Sequence, residues 1–209
     1  LDLAIDYLPY LGTSKMTAEQ INQELYKIAC SFSVSAGTEE TWVSISGLSE
    51  NMEKAIAIVE DLLFDPKPDD KALSNLIDDI LKSRNDSKAN QRSNFAALVS
   101  YATFGENSPR KYIYSEQELR SIKTDELVAI LKSLFSFEHQ ILAYSPDEPQ
   151  AIKLVLDKLH KSTSTFQKPA PAVKFEELET KENRVLFAHY DSKQSYLQQI
   201  IRSIKYQPE

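Results

Sequence analysis

Histidine, cysteine and carboxylate side chains are the residues of this chain that could bind a metal ion or transfer a proton. The 209 residues contain three histidines, His139, His160 and His189, and one cysteine, Cys30. A catalytic zinc ion needs three protein ligands and an open position for water. No histidine pairs with another histidine or with the cysteine at a ligand spacing. We therefore expect no metal site built from these four residues.

Other common kinds of chemistry lack a matching pattern. Cys30 lies in the segment KIACSFSV, where a small buried apolar residue is the expected role. The chain contains no Gly-x-Ser-x-Gly motif, and its four glycines are isolated, which excludes a glycine-rich phosphate loop. The net charge of −7 argues against a nucleic-acid partner, and no apolar run is long enough to span a bilayer.

Two helices are predicted before the first candidate strand. Residues 1–11 have an apolar helical spacing that breaks at Gly12. Thr17 and Gln20 form a predicted capping box, in which each side chain bonds the other residue's backbone, for a helix over residues 18–28.

A β-hairpin is predicted over residues 30–48. Apolar and polar residues alternate there, with Trp42 facing one way and Val43 and Ile45 facing the other. Ser49 then begins a helix that ends near Asp65.

The rest of the chain alternates predicted helices with short apolar segments. A long helical stretch, two shorter helices, a strand, a further helix, a linker and a second strand are expected. The long stretch covers residues 69–101, one short helix opens at Ser115, and the other covers residues 124–134. The first strand covers residues 138–144, the further helix 150–160, the linker 161–180 and the second strand 184–190. Segregated helices with a hairpin-built antiparallel sheet predict an α+β fold.

The order of these elements resembles the insulinase/pitrilysin-type (M16) zinc peptidases. The resemblance rests on LGTSKMTAEQINQEL, on SVSAGTEETWVSISGLSENMEKAIAIVEDLL and on the following Asp-Pro. In active members of the family, the helix before the Gly-Thr pair contains His-x-x-Glu-His, which binds zinc and holds the general base. The five corresponding residues of this chain are Leu3, Ala4, Ile5, Asp6 and Tyr7.

By this resemblance, the zinc motif is degenerate. Leu3 and Tyr7 stand at the two histidine positions, and Asp6 stands at the position of the base. The family's third ligand is a downstream glutamate, whereas residues 77–84 contain Asp78 and Asp79 but no glutamate. We therefore predict that this chain alone is inactive and binds no cofactor, and that zinc belongs to the catalytic domain of a parent metalloendopeptidase.

The resemblance also implies how the chain is organised. Residues 1–160 correspond to an inactive M16-like domain, a two-layer antiparallel sheet with helices packed on one face, which lacks its first strands at the N-terminus. Residues 161–180 form a linker, and residues 181–209 correspond to the opening strands of a following M16-like domain. We expect this chain to be a fragment of a longer polypeptide.

The implied role is to form a chamber wall and to hold peptide substrate. Peptides can add as a strand to an exposed sheet edge, and the candidate edge consists of Trp42, Val43, Ser44, Ile45 and Ser46. The expected partners are the other M16 domains of the polypeptide and the peptide, and a homodimer of the fragment could form through an unpaired edge. The family suggests the bacterial periplasm or cell envelope.

An alternative is a structural or interaction subunit of the same fold with no proteolytic role, as in respiratory complexes. An upstream His-x-x-Glu-His in the same gene would favour the peptidase, and a separate short reading frame would favour the subunit.

Overall fold

A computed structural model describes residues 1–37, 40–161, 165–171, 173–179 and 181–201. The chain divides into two compact units. Unit one comprises residues 1–76 and 121–172, and unit two comprises residues 77–120 and 173–209. Among the described residues, none of the helices combines the length and the apolar character that crossing a bilayer requires.

Unit one begins with two helices, α1 (Asp2–Tyr7) and α2 (Ala18–Lys27). The predicted capping box of α2 is confirmed. The Thr17 hydroxyl accepts a hydrogen bond from the Gln20 amide, and the Gln20 side chain accepts one from the Thr17 amide. A 3-10 turn, Leu8–Tyr10, leads out of α1 toward Gly12.

The predicted hairpin is also confirmed. Strands β1 (Cys30–Ala36) and β2 (Thr41–Gly47) pair antiparallel, with Val34 opposite Val43 and Phe32 opposite Ile45. These apolar side chains are half-buried, whereas Trp42 and the serines between them are exposed. The alternation therefore directs one face of the hairpin toward the helices and the other toward solvent.

Helices α3 (Met52–Phe64), α7 (Thr124–Ser133) and α8 (Pro149–Leu159) complete unit one. Helices α1, α2 and α3 lie against the hairpin, and α7 and α8 lie against α1 and α3 respectively. The core of unit one is apolar, as the spacing of its helices predicts. Its fully or almost fully buried side chains include Ala4, Ile5, Tyr7, Leu8, Leu11, Ile21, Leu25, Ala55, Val59, Leu62 and Leu131.

Unit two contains most of helix α4 (Asp70–Lys88), which begins in unit one, together with α5 (Gln91–Phe104) and α6 (Glu116–Ser121). The single long helix predicted over residues 69–101 is therefore wrong. The chain breaks at Asn90, whose side chain accepts a hydrogen bond from the Ser93 amide and so caps a new helix.

Two predicted strands are not formed. Residues 138–144 and 184–190 contain no strand within the described part of the chain. Phe137, just before the first of these segments, makes an isolated bridge to Gln167, where the Glu138 amide donates to the Gln167 carbonyl at 2.9 Å. A short apolar segment becomes a strand only where a neighbouring strand satisfies its backbone groups, and the segments do not encode that neighbour.

The predicted α+β class is confirmed. The chain is rich in helix and contains a small two-stranded antiparallel sheet. The division into an inactive domain, a linker and the start of a following domain stays a prediction, and residues 202–209 lie outside the described residues.

Candidate functional site

Helix α1 contains the five residues that the family resemblance predicts to correspond to the zinc motif. Ala4, Ile5 and Tyr7 are fully buried, Leu3 is half-buried and Asp6 is exposed. Buried residues therefore fill both the middle and the end of this helix, and the side chain at the position of the base faces solvent.

The hydroxyl of Tyr7 is tied to the start of α4. It accepts a hydrogen bond from the Asp69 amide at 2.8 Å and donates one to the Asp69 carbonyl at 2.7 Å. Asp69 in turn caps α4, because its carboxylate accepts from the Ala72 amide at 2.9 Å. We call this pair of hydrogen bonds the Tyr7 latch. It joins residues 62 positions apart in the sequence.

Electrostatics keep the Tyr7 hydroxyl protonated at neutral pH. Burial is the largest effect and raises the pKa of Tyr7 above its ordinary value of 10.0. The hydrogen bond to the Asp69 backbone lowers the pKa in part, and the nearby Asp69 and Asp70 carboxylates raise it. The hydroxyl therefore remains both a donor and an acceptor, as the two bonds of the latch require.

Asp6 lies beside the latch but takes no part in it. Desolvation, and then the carboxylate of Asp2, raise the pKa of Asp6 above its ordinary value of 3.8. A carboxylate at this position could accept a proton, but activation of water at neutral pH requires a metal ion that lowers the pKa of that water.

The residues at the motif positions do not fit zinc. Leu3 has no donor atom, and the Tyr7 oxygen already makes its two hydrogen bonds to Asp69. Downstream, Asp78 accepts a hydrogen bond from Arg120 at 2.9 Å. Within the described ranges, no group of three or more histidine, cysteine, aspartate or glutamate side chains is arranged to hold a metal ion.

The segment that begins at Gly12 packs closely against the segment that begins at Asp65, and we call this contact the Gly12 junction. The Gly12 carbonyl accepts a hydrogen bond from the Lys67 amide at 2.9 Å, and the Asp65 carboxylate accepts from the Ser14 amide at 3.3 Å and from the Lys67 ammonium at 2.8 Å. A Cβ atom on Gly12 would lie only 2.5 Å from the Met16 carbonyl oxygen, so this close approach needs glycine.

Asp65 is the charged member of this junction. The hydrogen bond from the Lys67 ammonium, followed by those from Ser14, lowers the pKa of Asp65 to about 2. The carboxylate is therefore ionised throughout the neutral range.

The predicted peptide-binding edge lies on β2. Trp42 is 46% exposed, and its indole N–H donates to the Glu40 carboxylate at 2.9 Å. The Ser46 hydroxyl lies 3.1 Å from that of Ser31 across the hairpin. Among the described residues, β2 pairs with β1 alone, so its second edge has no strand beside it there. Peptide binding at this edge stays a prediction.

Sequence reasoning missed one cluster of chemically active side chains. His139 and His160 lie apart in the sequence, yet their Nε2 atoms are 2.8 Å apart. His160 also contacts the Glu60 carboxylate through Nδ1, at 2.7 Å. The sequence analysis considered these histidines only as metal ligands and did not predict that two of them are in contact. The two histidines are 21 residues apart, with the loop after α7 and the whole of α8 between them, so no helix or strand periodicity relates them.

Comparison with known proteins identifies the family. The model of the insulinase family, peptidase family M16, matches residues 5–116, which is more than half of the chain. The beta subunit of the mitochondrial-processing peptidase from Neurospora crassa is 24% identical over 141 residues, which cover 66% of this chain and 29% of that protein.

Two solved structures share the fold. The ferredoxin protease FusC, in complex with Arabidopsis ferredoxin, superposes with a TM-score of 0.68 at 14% identity, over 85% of this chain and 19% of that chain. An inactive domain of peptidase M16 from Pseudomonas fluorescens superposes with a TM-score of 0.50 at 19% identity, over 61% of this chain and 31% of that chain. This chain thus spans less than a third of each relative. It belongs to the insulinase family of peptidases, M16.

Proposed function

We propose that this chain is a non-catalytic domain of an M16-type peptidase, and that it forms part of a chamber wall and holds an extended peptide. The observation that carries the proposal is the Tyr7 latch. At the position where an active domain of the family has a zinc-binding histidine, this chain has a tyrosine that fastens two helices.

The burial of α1 supports a structural role for the degenerate motif. Tyr7 and Ile5 are inaccessible to solvent, and a hydrolytic site must admit both a water molecule and a peptide. Zinc and the general base would then belong to a catalytic domain elsewhere in the parent polypeptide. This chain covers 29% of the length of one relative and 19% of another, which supports the presence of further domains in the parent polypeptide.

The geometry of β2 supports peptide binding by strand addition. An extended peptide can pair with the backbone groups of an open edge, so that affinity depends little on the side chains of the peptide. The exposed serines and Trp42 give β2 a solvated outer face.

The test is peptide binding at the edge without cleavage. Trp42 is the single tryptophan of the chain, so its fluorescence reports on this strand alone. The probe is a short synthetic peptide of alternating valine and threonine with lysine at both ends. We expect its addition to shift the emission of Trp42, while mass spectrometry shows that the peptide remains intact.

Proline substitutions provide a matched pair of controls. Successive backbone N–H groups of a strand point to opposite sides. Of Ser44→Pro and Ile45→Pro, one therefore removes an N–H that pairs with β1 and the other removes an N–H at the open edge. We expect the variant that keeps its hairpin, judged by circular dichroism, to lose peptide binding. If that folded variant binds as well as the parent chain, strand addition is wrong.

The structural-subunit alternative makes a different prediction. A pure interaction subunit would leave the Trp42 emission unchanged at every peptide concentration. Cleavage of the peptide that a chelator abolishes would contradict both roles.

A further inference from the structure

Three elements of unit one meet at a pair of histidines. His139 lies after α7, His160 ends α8, and Glu60 lies on α3. The two imidazole rings have centroids 5.0 Å apart at an angle of 71°, with Nε2 facing Nε2 at 2.8 Å. This distance is a hydrogen-bond distance, so one of the two nitrogens must donate and the other must accept.

The remaining ring nitrogens are already engaged with acceptors. Nδ1 of His139 lies 2.8 Å from the Phe137 carbonyl oxygen, and Nδ1 of His160 lies 2.7 Å from the Glu60 carboxylate. A backbone carbonyl can only accept, and so can an ionised carboxylate. Both Nδ1 atoms must therefore carry a proton.

These constraints fix the number of protons. A neutral imidazole carries a single N–H. If both histidines were neutral, each would use its N–H at Nδ1, and the two Nε2 atoms would face each other as lone pairs. Two acceptors at 2.8 Å cannot form a hydrogen bond. The arrangement needs one cation between the rings.

The 2.8 Å separation of the two Nε2 atoms favours a proton between them over a metal ion. Zinc binds each imidazole nitrogen at about 2.0 to 2.1 Å in a tetrahedral arrangement, which would place the two nitrogens roughly 3.3 Å apart. The described residues also offer no group of three ligands.

We propose that His139 and His160 share one additional proton between their Nε2 atoms, and that this proton fastens the segment around His139 to α3 and α8. We call this arrangement the histidine joint. Its positive charge is balanced by Glu60, whose side chain is only 12% exposed. The bound proton adds one hydrogen bond and one ion pair, which are absent when the proton leaves.

The other charged groups near the joint have partners of their own. On α3, Asp61 pairs with Lys15 at 2.7 Å and with Lys161 at 3.4 Å. The Lys161 amide also donates to Glu60 at 3.4 Å. On α8, Lys158 pairs with Glu53 at 2.7 Å.

Aromatic rings line the rest of the joint. Phe135 and Phe166 lie against the two imidazoles, with centroid distances of 6.0 Å to His160 and 5.4 Å to His139. Among the described side chains around the joint, Glu60 is thus the carboxylate in contact with an imidazole.

The sign of the pH dependence follows from proton counting. An unfolded histidine is half protonated near pH 6.5, so two of them together bind about one proton at that pH. The folded joint also binds one. Above this pH the folded chain binds more protons than the unfolded chain, and stability falls as pH rises; below it the reverse holds. The contribution of the joint is therefore largest near pH 6.5 and smaller on both sides.

Nuclear magnetic resonance of the imidazole nitrogens tests the proposal on the whole chain. His189 is exposed and lies in unit two, so it serves as the internal reference. We expect the Nε2 resonances of His139 and His160 to change together as pH is varied, with both Nδ1 atoms protonated throughout. Three independent single-step titrations would overturn the proposal.

Substitution provides the second readout. We expect His139→Gln to lower the melting temperature by about 2 to 4 °C near pH 6.5, and by clearly less at pH 8.5. His189→Gln is the matched control and should change neither value. In Glu60→Gln, His139 and His160 should bind the shared proton less tightly, because the balancing negative charge is gone. A loss in His139→Gln that is the same at both pH values would contradict a shared proton.

A metal ion is the remaining outcome. Stoichiometric binding of added zinc that shifts both Nε2 resonances at pH 6.5, in a chain whose histidines otherwise titrate singly, would replace the shared proton by a metal site.

Discussion

At the end of α1, a tyrosine hydroxyl meets a backbone amide and a backbone carbonyl; at the end of α8, an imidazole meets a second imidazole. Both contacts fasten segments of unit one that are distant in the sequence. In the Tyr7 latch, each donor faces an acceptor with no change of protonation. In the histidine joint, the partners match only after a proton is added. The comparison therefore contrasts a contact that needs no added proton with one that, on our proposal, depends on a proton and hence on pH.

The largest expected effect comes from removing the Tyr7 ring. Tyr7→Ala should reduce the free energy of unfolding by about 3 to 5 kcal/mol, because it leaves a cavity in a fully buried site. Urea denaturation measures this value. Tyr10→Ala, at a side chain that is 48% exposed, is the control and should cost much less. Equal losses in the two variants would show that Tyr7 is not a core residue.

The latch itself is isolated by a smaller change. Tyr7→Phe keeps the ring but removes both hydrogen bonds to Asp69, and should cost about 1 to 2 kcal/mol. The pKa of Tyr7 is raised, so the hydroxyl is protonated throughout the neutral range. The loss should therefore be the same at pH 6.5 and pH 8.5, in contrast to His139→Gln. A loss that changes between these pH values would remove the distinction between the latch and the joint.

The Gly12 junction should tolerate no side chain. Gly12→Ala places a Cβ atom 2.5 Å from the Met16 carbonyl oxygen, so the backbone must move. We expect a loss of about 1 to 3 kcal/mol, measured by urea denaturation. Gly37→Ala, where the nearest atom is 3.2 Å away, is the matched substitution and should cost less. A smaller loss at Gly12 than at Gly37 would contradict the close packing of this junction.

The smallest effect is expected at Asp65. Its pKa is lowered to about 2, so the ionised carboxylate stabilises the fold above the unfolded value near 4, and this contribution is lost as pH falls toward 2. Asp65→Asn should cost less than about 1 kcal/mol at pH 6, because solvent screens exposed ion pairs. Melting curves of the two proteins should converge near pH 2. A constant difference at both pH values would exclude the charge of Asp65 as the cause.

Local signals in the sequence predicted the first half of unit one well. The capping box of Thr17 and Gln20, the hairpin and the outward side chain of Trp42 all depend on residues close together in the chain. The family resemblance rests on the same region, and the match to residues 5–116 confirms it.

Contacts between distant residues could not be predicted in this way. The 69–101 helix was wrong because the capping effect of Asn90 outweighed continuous helical periodicity. The 138–144 strand was wrong because strand formation depends on a neighbour that the segment does not encode. The latch and the joint connect residues that only the tertiary fold brings together, and no spacing in the sequence predicts either pair.

The most direct test of a non-catalytic domain is the zinc content of the purified chain, measured by elemental analysis together with cleavage of an unstructured peptide with and without a chelator. We expect a zinc content far below one ion per chain and no chelator-sensitive cleavage. The reason is that Leu3 and Tyr7 cannot bind the metal in the geometry of the family. One zinc per chain, with cleavage that the chelator abolishes, would contradict a non-catalytic role.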